Sequence, residues 1–253
     1  MQENFALEMI EKGKRIDKRK IDQFRPIQII PDYIKKAEGS ALVRLGDTLV
    51  LAGVKMEIGK PFPDTPNEGI LIVNSEFSPL ASPEFESGPP GEDAVELARV
   101  VDRGIRESKA IEVDKLLIKE GEKVWSVFVD IQLLNHDGNL LDAAALASVV
   151  ALHHTKIPKI ENEKIIRGEY QAKLPVVHHP INISVCKAGS KLFLDPTKVE
   201  EQIIDSRLSL AIREDDKICA IQKQGRKELD FEDVEKMVDL AIQKSKEMRK
   251  LVK

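Results

Sequence analysis

The spacing of apolar and polar residues predicts a chain that alternates strands with helices. Apolar residues recur at intervals of three and four over 93–110 and again over 229–252, and this period predicts two amphipathic helices. The Ala-rich segment 140–153 is apolar on nearly every side, which is typical of a fully buried helix. Strict alternation over 125–134 predicts a strand, and the Gly-Asp pair at 46–47 between two apolar runs predicts a β-hairpin.

These elements fall into two halves that follow a short N-terminal segment. Residues 1–30 contain a predicted helix over 4–13 and a basic stretch over 14–20, which is most simply interpreted as a solvated linker. Residues 31–165 and 170–253 each contain strands followed by a helix. The sequence therefore predicts a mixed α/β (α+β) fold with two β-sheet/helix halves.

Three segments are predicted to lack regular structure. Prolines interrupt the stretches 60–67 and 78–93, so we expect loops there. The segment 157–173, between the two halves, is charged and loop-like. We interpret it as the linker that joins them.

Composition and charge restrict the function classes that remain. The 253 residues include 39 Lys and Arg against 43 Asp and Glu, a formal net charge of −4, which excludes a globally basic nucleic-acid binder but not a local basic groove. Two cysteines fit a reducing compartment. No targeting segment is visible, and no apolar run reaches the roughly 18 residues that a membrane span needs. We therefore expect a soluble cytoplasmic protein.

Three arginines on the first amphipathic helix are candidates for a functional site. Arg99, Arg103 and Arg106 are spaced by four and three residues, which places them on one face, opposite the apolar stripe. Guanidinium groups in such a row could grip consecutive phosphates, because each offers a planar fork of donors. Pairing within the helix, between Glu96 and Arg99 and between Asp102 and Arg106, is favoured on spacing alone.

The sequence does not indicate a metal or cofactor site. The histidines lack the spacing of a helical metal site, and the cysteines complete no recognisable ligand set. These residues are His136, His153, His154, His178, His179, Cys186 and Cys219. An acidic group could offer hard oxygen ligands to a divalent cation, although a solvated surface is the simpler interpretation. Its members are Asp195, Glu200, Glu201 and Asp205.

Several motifs in a fixed order resemble those of the RNase PH family. The segment 39–48 resembles its opening hairpin, and 96–106 resembles its arginine-bearing helix. The segments 13–19 and 24–26 are similar to its Arg-x-Asp-Gly-Arg motif region, with Lys18 in place of the usual Gly. Further matching segments are 64–66, 88–90 and 137–143. This resemblance covers nearly the whole chain and implies an RNase PH-like fold, of the ribosomal protein S5 domain 2-like type.

The resemblance implies phosphorolysis of RNA, but the residues for that chemistry depart from the family pattern. Active members use inorganic phosphate to attack the 3′-terminal phosphodiester, which needs cationic donors and a carboxylate. They cradle the phosphate with a Ser/Thr-Arg pair, where this chain has Asn139 and Leu140. Active members also carry an Asp in the second half of the chain, and the match places Arg207 at that position. Arginine neither binds a metal ion nor acts as an acid near neutral pH. If the match to the family were shifted by two residues, Asp205 would take this position instead of Arg207.

Within the family, these motifs together resemble the non-catalytic ring subunit of the archaeal exosome. This implies a hexameric ring built with a catalytic sister subunit as a trimer of heterodimers, RNA-binding cap subunits, and single-stranded RNA as the ligand. It also implies that Arg99 and Arg103 hold the RNA backbone beside the sister's active site, with Arg106 on the same face. Two alternatives stay open: a phosphorolytic exonuclease active by itself, and an architectural subunit without RNA contact.

Overall fold

Strands and helices make up most of the computed structural model, which describes residues 2–162 and 164–252. The strands are β1 (Ile27–Pro31), β2 (Gly39–Leu45), β3 (Thr48–Gly59), β4 (Ile70–Phe77), β5 (Leu117–Lys119), β6 (Lys123–Asn135), β7 (Lys156–Glu161), β8 (Lys164–Lys173), β9 (Ile181–Ala188), β10 (Lys191–Leu194), β11 (Ser206–Ile212) and β12 (Ile218–Gly225). The α-helices are α1 (Gln2–Glu11), α2 (Glu92–Glu107), α3 (Leu140–His153), α4 (Lys198–Glu201) and α5 (Phe231–Arg249).

Two sheets organise the chain, as the alternation of strands and helices predicts. The first has the order β1-β2-β3-β6-β4, with β5 paired to β6. Its strands are antiparallel to their neighbours, except that β4 runs parallel to β6. The second has the order β10-β9-β11-β12 and is antiparallel throughout. The mixed α/β prediction is confirmed.

The structure confirms the predicted β-hairpin and the predicted strand over 125–134. β2 and β3 join through the Gly-Asp pair at 46–47, with Leu45 paired to Thr48. Gly46 has a φ of 60°, which glycine adopts without strain. β6 buries alternate residues over most of its length, and it lies inside the sheet between β3 and β4.

Helix α3 packs between the two sheets. It contacts β2 and β3 of the first sheet and β9 of the second. Every residue from 141 to 152 is buried, which confirms the prediction of a fully buried helix. Small alanine side chains allow both sheets to approach the helix closely.

A buried carboxylate fixes α3 on the second sheet. Asp142 accepts hydrogen bonds from Asn182 Nδ2 and from Ser184 Oγ, each at 2.7 Å, and from the Ser184 amide at 3.1 Å. Burial raises the pKa of the Asp142 carboxyl, and these donors act against the rise by stabilising the charged form. The two halves are therefore joined by specific polar contacts as well as by apolar packing.

The amphipathic helices α2 and α5 lie where the apolar period predicts them, with differences only at their ends. α2 contacts β4, α3 and β12, and α5 contacts β9 and β11. Each helix buries its apolar face and exposes its polar face to solvent. None of the helices in the described residues combines the length and apolarity required to cross a membrane.

The segment 157–173 forms a two-stranded sheet, so the prediction of a loop-like linker is wrong. β7 pairs antiparallel with β8, and the expected boundary between the halves at 165–170 lies within β8. β8 is exposed along most of its length, and an exposed strand lacks the apolar alternation that would reveal it. Arg167 fastens the hairpin to the first sheet, because it donates to the buried Glu38 carboxylate at 2.9 Å and also binds Glu57.

Part of the basic stretch 14–20 is buried, so its interpretation as a solvated linker is wrong. Arg15 is 1% exposed, and its Nε donates to Glu200 at 2.6 Å. Arg19 donates from Nη1 to Asp195 at 2.8 Å. Both partners lie in the second half of the chain, and a contact over such a distance leaves no local pattern.

Candidate nucleic-acid interface

Helix α2 places the three candidate arginines along a groove. The helix begins after a Pro-Pro-Gly segment, 89–91, and its two first-turn carboxylates suit the positive end of the helix dipole. Because the apolar stripe is buried, the arginine side faces a groove of about 990 Å³ that α2 forms with β4 and Gln222 of β12. The groove brings together Arg99, Arg103 and Arg106.

Two of these arginines keep uncompensated charge. Arg99 is exposed, and its guanidinium makes no hydrogen bond or ion pair with any of the described residues. Arg103 donates from Nη2 to Gln222 Oε1 at 2.6 Å, and the neutral amide leaves its positive charge intact. The predicted pairing of Arg99 with Glu96 is wrong, because Glu96 accepts a hydrogen bond from Gln224 at 2.9 Å instead.

Arg106 is paired within the helix, as its spacing from Asp102 predicts. Its Nε and Nη2 donate to Asp102 at 3.0 and 2.7 Å, and Nη2 also donates to the Leu71 carbonyl oxygen at 2.9 Å. The bond to Asp102 raises the pKa of Arg106, while burial acts in the opposite direction. Arg106 therefore braces α2 against β4.

The rest of the groove is apolar and acidic. Leu71, Ile72 and Val73 of β4 contribute its apolar wall, and Glu92 and Glu107 lie at the two ends of α2. The groove is thus not broadly basic. An anionic strand would be attracted locally, at the two uncompensated guanidinium groups.

A second cavity contains the positions at which the family pattern places phosphate chemistry. It measures about 350 Å³, and its lining includes Leu140 and Arg207. Leu140 offers only hydrocarbon. Asn139 turns its side chain into the protein, where Nδ2 donates to Asp142 at 3.1 Å and to Asp195 at 3.0 Å. Neither side chain can donate to a phosphate in the cavity.

Arg207 is held in an ion pair at this cavity. Its side chain is 15% exposed, and Nη2 donates to Glu201 Oε1 at 2.6 Å. Glu201 also accepts a hydrogen bond from the Asn139 amide at 3.0 Å. Burial raises the pKa of the neighbouring Cys186 thiol to about 11, so that thiol stays protonated near neutral pH. The cavity therefore holds a paired guanidinium at the position where the resemblance predicts a carboxylate in active members.

Asp205 does not restore that carboxylate. It lies just before β11, where its side chain binds Lys227 Nζ at 2.8 Å and the Gly189 amide at 2.9 Å. Burial would raise its pKa, but the bonds to Lys227 and Gly189 outweigh this and lower it. The residue is not part of the cavity lining. The geometry therefore does not support the shifted match in which Asp205 supplies the family's carboxylate.

The remaining acidic candidates bind arginines that the analysis of composition and spacing missed. Asp195 is fully buried and accepts from Arg19 and from Arg25, each at 2.8 Å. Glu200 binds Arg15. Among residues 2–162 and 164–252, no three His, Cys, Asp or Glu side chains are arranged to hold a metal ion. The only signal for these arginines was the resemblance of their segment to a family motif.

The histidine pairs meet across the chain, and the rings of His153 and His154 also contact each other, with centroids 5.4 Å apart. His153 Nδ1 and His179 Nε2 lie 2.8 Å apart, at hydrogen-bond distance. His178 Nδ1 lies 2.5 Å from Glu214 Oε1. Burial lowers the pKa of both His153 and His179. These contacts connect the end of α3 to the segment that enters the second sheet.

Comparison with known proteins finds the same family over both halves. Domain 1 of the 3′ exoribonuclease family matches residues 23–158, and domain 2 matches residues 178–244. The exosome complex component Rrp42 of Archaeoglobus fulgidus is 48% identical over 250 residues, which cover 99% of this chain and 95% of that protein. The protein of the same name from Methanopyrus kandleri is 47% identical over 251 residues, 98% of this chain and 94% of that one.

Solved structures agree with these matches. A chain of the Archaeoglobus fulgidus exosome with RNA bound to the active site has a TM-score of 0.94 and 47% identity, and the match covers 100% of this chain and 98% of that chain. A chain of an archaeal exosome core has a TM-score of 0.89 and 44% identity, with 99% and 96% covered. With both domains matched and relatives nearly half identical over almost their full length, this chain belongs to the RNase PH family of 3′ exoribonucleases.

Proposed function

We propose that this chain is the non-catalytic ring subunit of an archaeal exosome, which holds RNA beside the active site of a catalytic sister subunit during 3′-to-5′ phosphorolysis. The observation that carries the proposal is the contrast between the two cavities beside α2. One presents the uncompensated charges of Arg99 and Arg103. The other has Leu140 and the paired Arg207 where the family pattern has phosphate donors and a carboxylate.

The named relatives support the assembly that this function requires. The curated relatives are exosome complex components, and the matched structures are exosomes, one of them with RNA at its active site. We propose a hetero-hexameric ring, a trimer of heterodimers with the catalytic sister, that carries RNA-binding cap subunits and works in the cytoplasm. The division into 1–30, 31–165 and 170–253 remains part of this proposal.

Each arginine has a distinct part in holding the strand. Arg99 and Arg103 lie one helical turn apart, so they can contact neighbouring phosphates of one strand. Such contacts position RNA without reading its sequence, which suits a degrader that accepts any RNA. Arg106 contributes mainly by holding α2 against β4 through Asp102 and the Leu71 carbonyl.

The test replaces Arg99 and Arg103 by Ala in the complex assembled with the catalytic sister. We expect the ring to assemble and RNA affinity to fall about tenfold or more at low salt, because each charge-assisted bond to phosphate is worth about 1.5–3 kcal/mol before solvent screening. The slope of log affinity against log salt should become shallower by roughly 1.4, since two phosphate contacts are lost from a single strand. Filter binding at several salt concentrations measures both quantities.

Two controls separate the alternatives. Arg226→Ala removes an exposed arginine outside the groove and should leave affinity unchanged. The chain alone, supplied with phosphate, magnesium and RNA, should release no nucleoside diphosphate. Unchanged affinity in the double variant would support the architectural alternative, and release by the chain alone would support the active exonuclease.

A further inference from the structure

Two hydrogen-bond donors and a nearby histidine ring, from separate places in the chain, lie around the carboxylate of Glu201. Arg207 on β11 donates to Glu201 Oε1 at 2.6 Å, and the backbone amide of Asn139 donates to the same oxygen at 3.0 Å. His136, in the segment between β6 and α3, has its Nε2 4.0 Å from Glu201 Oε2. One carboxylate therefore lies among a guanidinium, a main-chain amide and an imidazole.

Each donor is fixed in its orientation. Asn139 is the N-cap residue of α3, so its amide lies at the positive end of a helix of 14 residues. His136 Nδ1 accepts a hydrogen bond from the Gly138 amide at 3.2 Å, and in the neutral ring the proton is then on Nε2, on the side of Glu201. Arg207 is largely buried, which restricts its guanidinium to this place.

This donor set is one that binds free oxyanions. Guanidinium forks and main-chain amides at helix N-termini are the groups that proteins use for phosphate. The groups also lie at an accessible place, because Glu201, Arg207 and His136 line the 350 Å³ cavity. Glu201 is 22% exposed, so its carboxylate lies at the boundary between the donors and the open part of the cavity.

We propose that Glu201 acts as a built-in anion that fills a latent site for inorganic phosphate and thereby excludes free phosphate from this subunit. The inference does not depend on RNA binding at Arg99 and Arg103. It accounts for the meeting of a guanidinium, a main-chain amide and an imidazole in a cavity without catalytic side chains. Glu84, Asp93 and Glu96 also line the cavity and weaken its attraction for a dianion, so the site opened by removing Glu201 should bind phosphate with millimolar affinity.

Glu201→Ala in the purified full-length chain tests this inference, with inorganic phosphate as the probe. Alanine vacates the space of the carboxylate and suits the end of α4. We expect phosphate to bind this variant at least tenfold more tightly than it binds the wild type, as measured by calorimetry. Phosphate should also raise its melting temperature by several degrees relative to chloride at equal ionic strength.

Two matched variants make the result specific. Glu201→Gln removes the charge but keeps the space filled, and should show little phosphate binding. Glu201→Ala combined with Arg207→Gln removes the main cationic donor and should lose the binding gained by Glu201→Ala alone. Equal phosphate affinity in Glu201→Ala and the wild type would overturn the inference, as would binding that persists without Arg207.

A folding measurement covers the case in which Glu201→Ala is unstable. Arg207 loses its partner in this variant, and an unpaired buried charge destabilises a fold. If phosphate restores the native circular dichroism of the variant while equal chloride does not, the inference is supported. If neither anion restores it, the latent site does not exist. The arginine test of the proposed function is unaffected by either result.

Discussion

At the scale of single residues, Lys18 adopts a backbone conformation that usually favours glycine. Lys18 stands where the family motif has Gly, and it has a φ of 66°, in the left-handed region that disfavours side chains. The turn is closed by a hydrogen bond from the Lys18 amide to the Arg15 carbonyl oxygen at 3.1 Å. The strained residue therefore orients the buried Arg15 and the segment that follows it.

Replacing Lys18 by Gly should stabilise the protein. Relief of the left-handed conformation gains about 1–2 kcal/mol, and the greater flexibility of Gly in the unfolded chain offsets about 0.5–1 kcal/mol of it. We expect the free energy of unfolding in urea to rise by up to about 1.5 kcal/mol. Lys14→Gly is the matched control, because Lys14 is exposed and has no positive φ, so this change should lower stability. Equal effects of the two changes would contradict the explanation.

At the scale of elements, the distance between α3 and the first sheet depends on one glycine. A Cβ added at Gly39 of β2 would lie 2.2 Å from Thr155 Oγ1 and 2.5 Å from the Ala151 carbonyl oxygen. Thr155 cannot move aside freely, because its hydroxyl donates to that same carbonyl at 2.8 Å. The absence of a side chain at Gly39 therefore sets how closely the sheet packs on the end of α3.

Gly39→Ala should accordingly be destabilising. We expect a loss of about 1–3 kcal/mol in the free energy of unfolding, which is typical of overpacking a tight interface. Gly53 of β3 provides the comparison, since an added Cβ there meets nothing within 4 Å. Gly53→Ala should be neutral or raise stability by up to about 0.5 kcal/mol. Chemical denaturation of both variants measures the difference, and equal losses would count against the close-packing argument.

The elements that the sequence predicts most clearly are those that pack against a continuous apolar surface. α3 and β6 have local patterns that identify them, because α3 is buried on all sides from 141 to 152 and β6 buries alternate residues over most of its length. β8 is exposed along most of its length, and the polar residues on both of its faces conceal its strand character. For the site, helical period places Arg99, Arg103 and Arg106 in one groove. The helical period does not show that Asp102 pairs with an arginine while Glu96 does not, because Glu96 instead binds Gln224 of β12.

At the scale of the whole molecule, the described contacts join the two halves at opposite ends of α3. Near its start, Asp142 binds Asn182 and Ser184 of β9. At its other end, His153 meets His179 in the segment before β9. The helix therefore acts as a connecting element for the two sheets.

The histidine contact predicts that stability falls under acid conditions. Burial lowers the pKa of His153 and of His179 in the folded protein, so the unfolded chain binds more protons below its ordinary histidine pKa of about 6.5. The free energy of unfolding should then decrease as the pH falls from about 6.5 toward the lower pKa of the folded state.

Thermal unfolding between pH 7.5 and 5.5 measures this effect. The wild type should lose melting temperature over this range, and His153→Gln combined with His179→Gln should lose less, because two of the titrating groups are gone. Glu214 lies near His179 and favours its charged form, so it reduces the effect without reversing its sign. An identical loss in the double variant would show that other groups control the acid response.

The burial of Asp195 among arginines from the start of the chain has a consequence for synthesis on the ribosome. Arg19 and Arg25 emerge early, but the carboxylate that they bind lies 176 and 170 residues later. At about 5–20 residues per second, the delay is on the order of ten seconds or more. During that time these arginines lack their shared buried partner, although Arg19 can already pair with Asp17. The amino-terminal segment therefore reaches its final place only after the second half has been made. The native contacts of the amino-terminal segment therefore form only after the part of the chain that contains Asp195 has been synthesised.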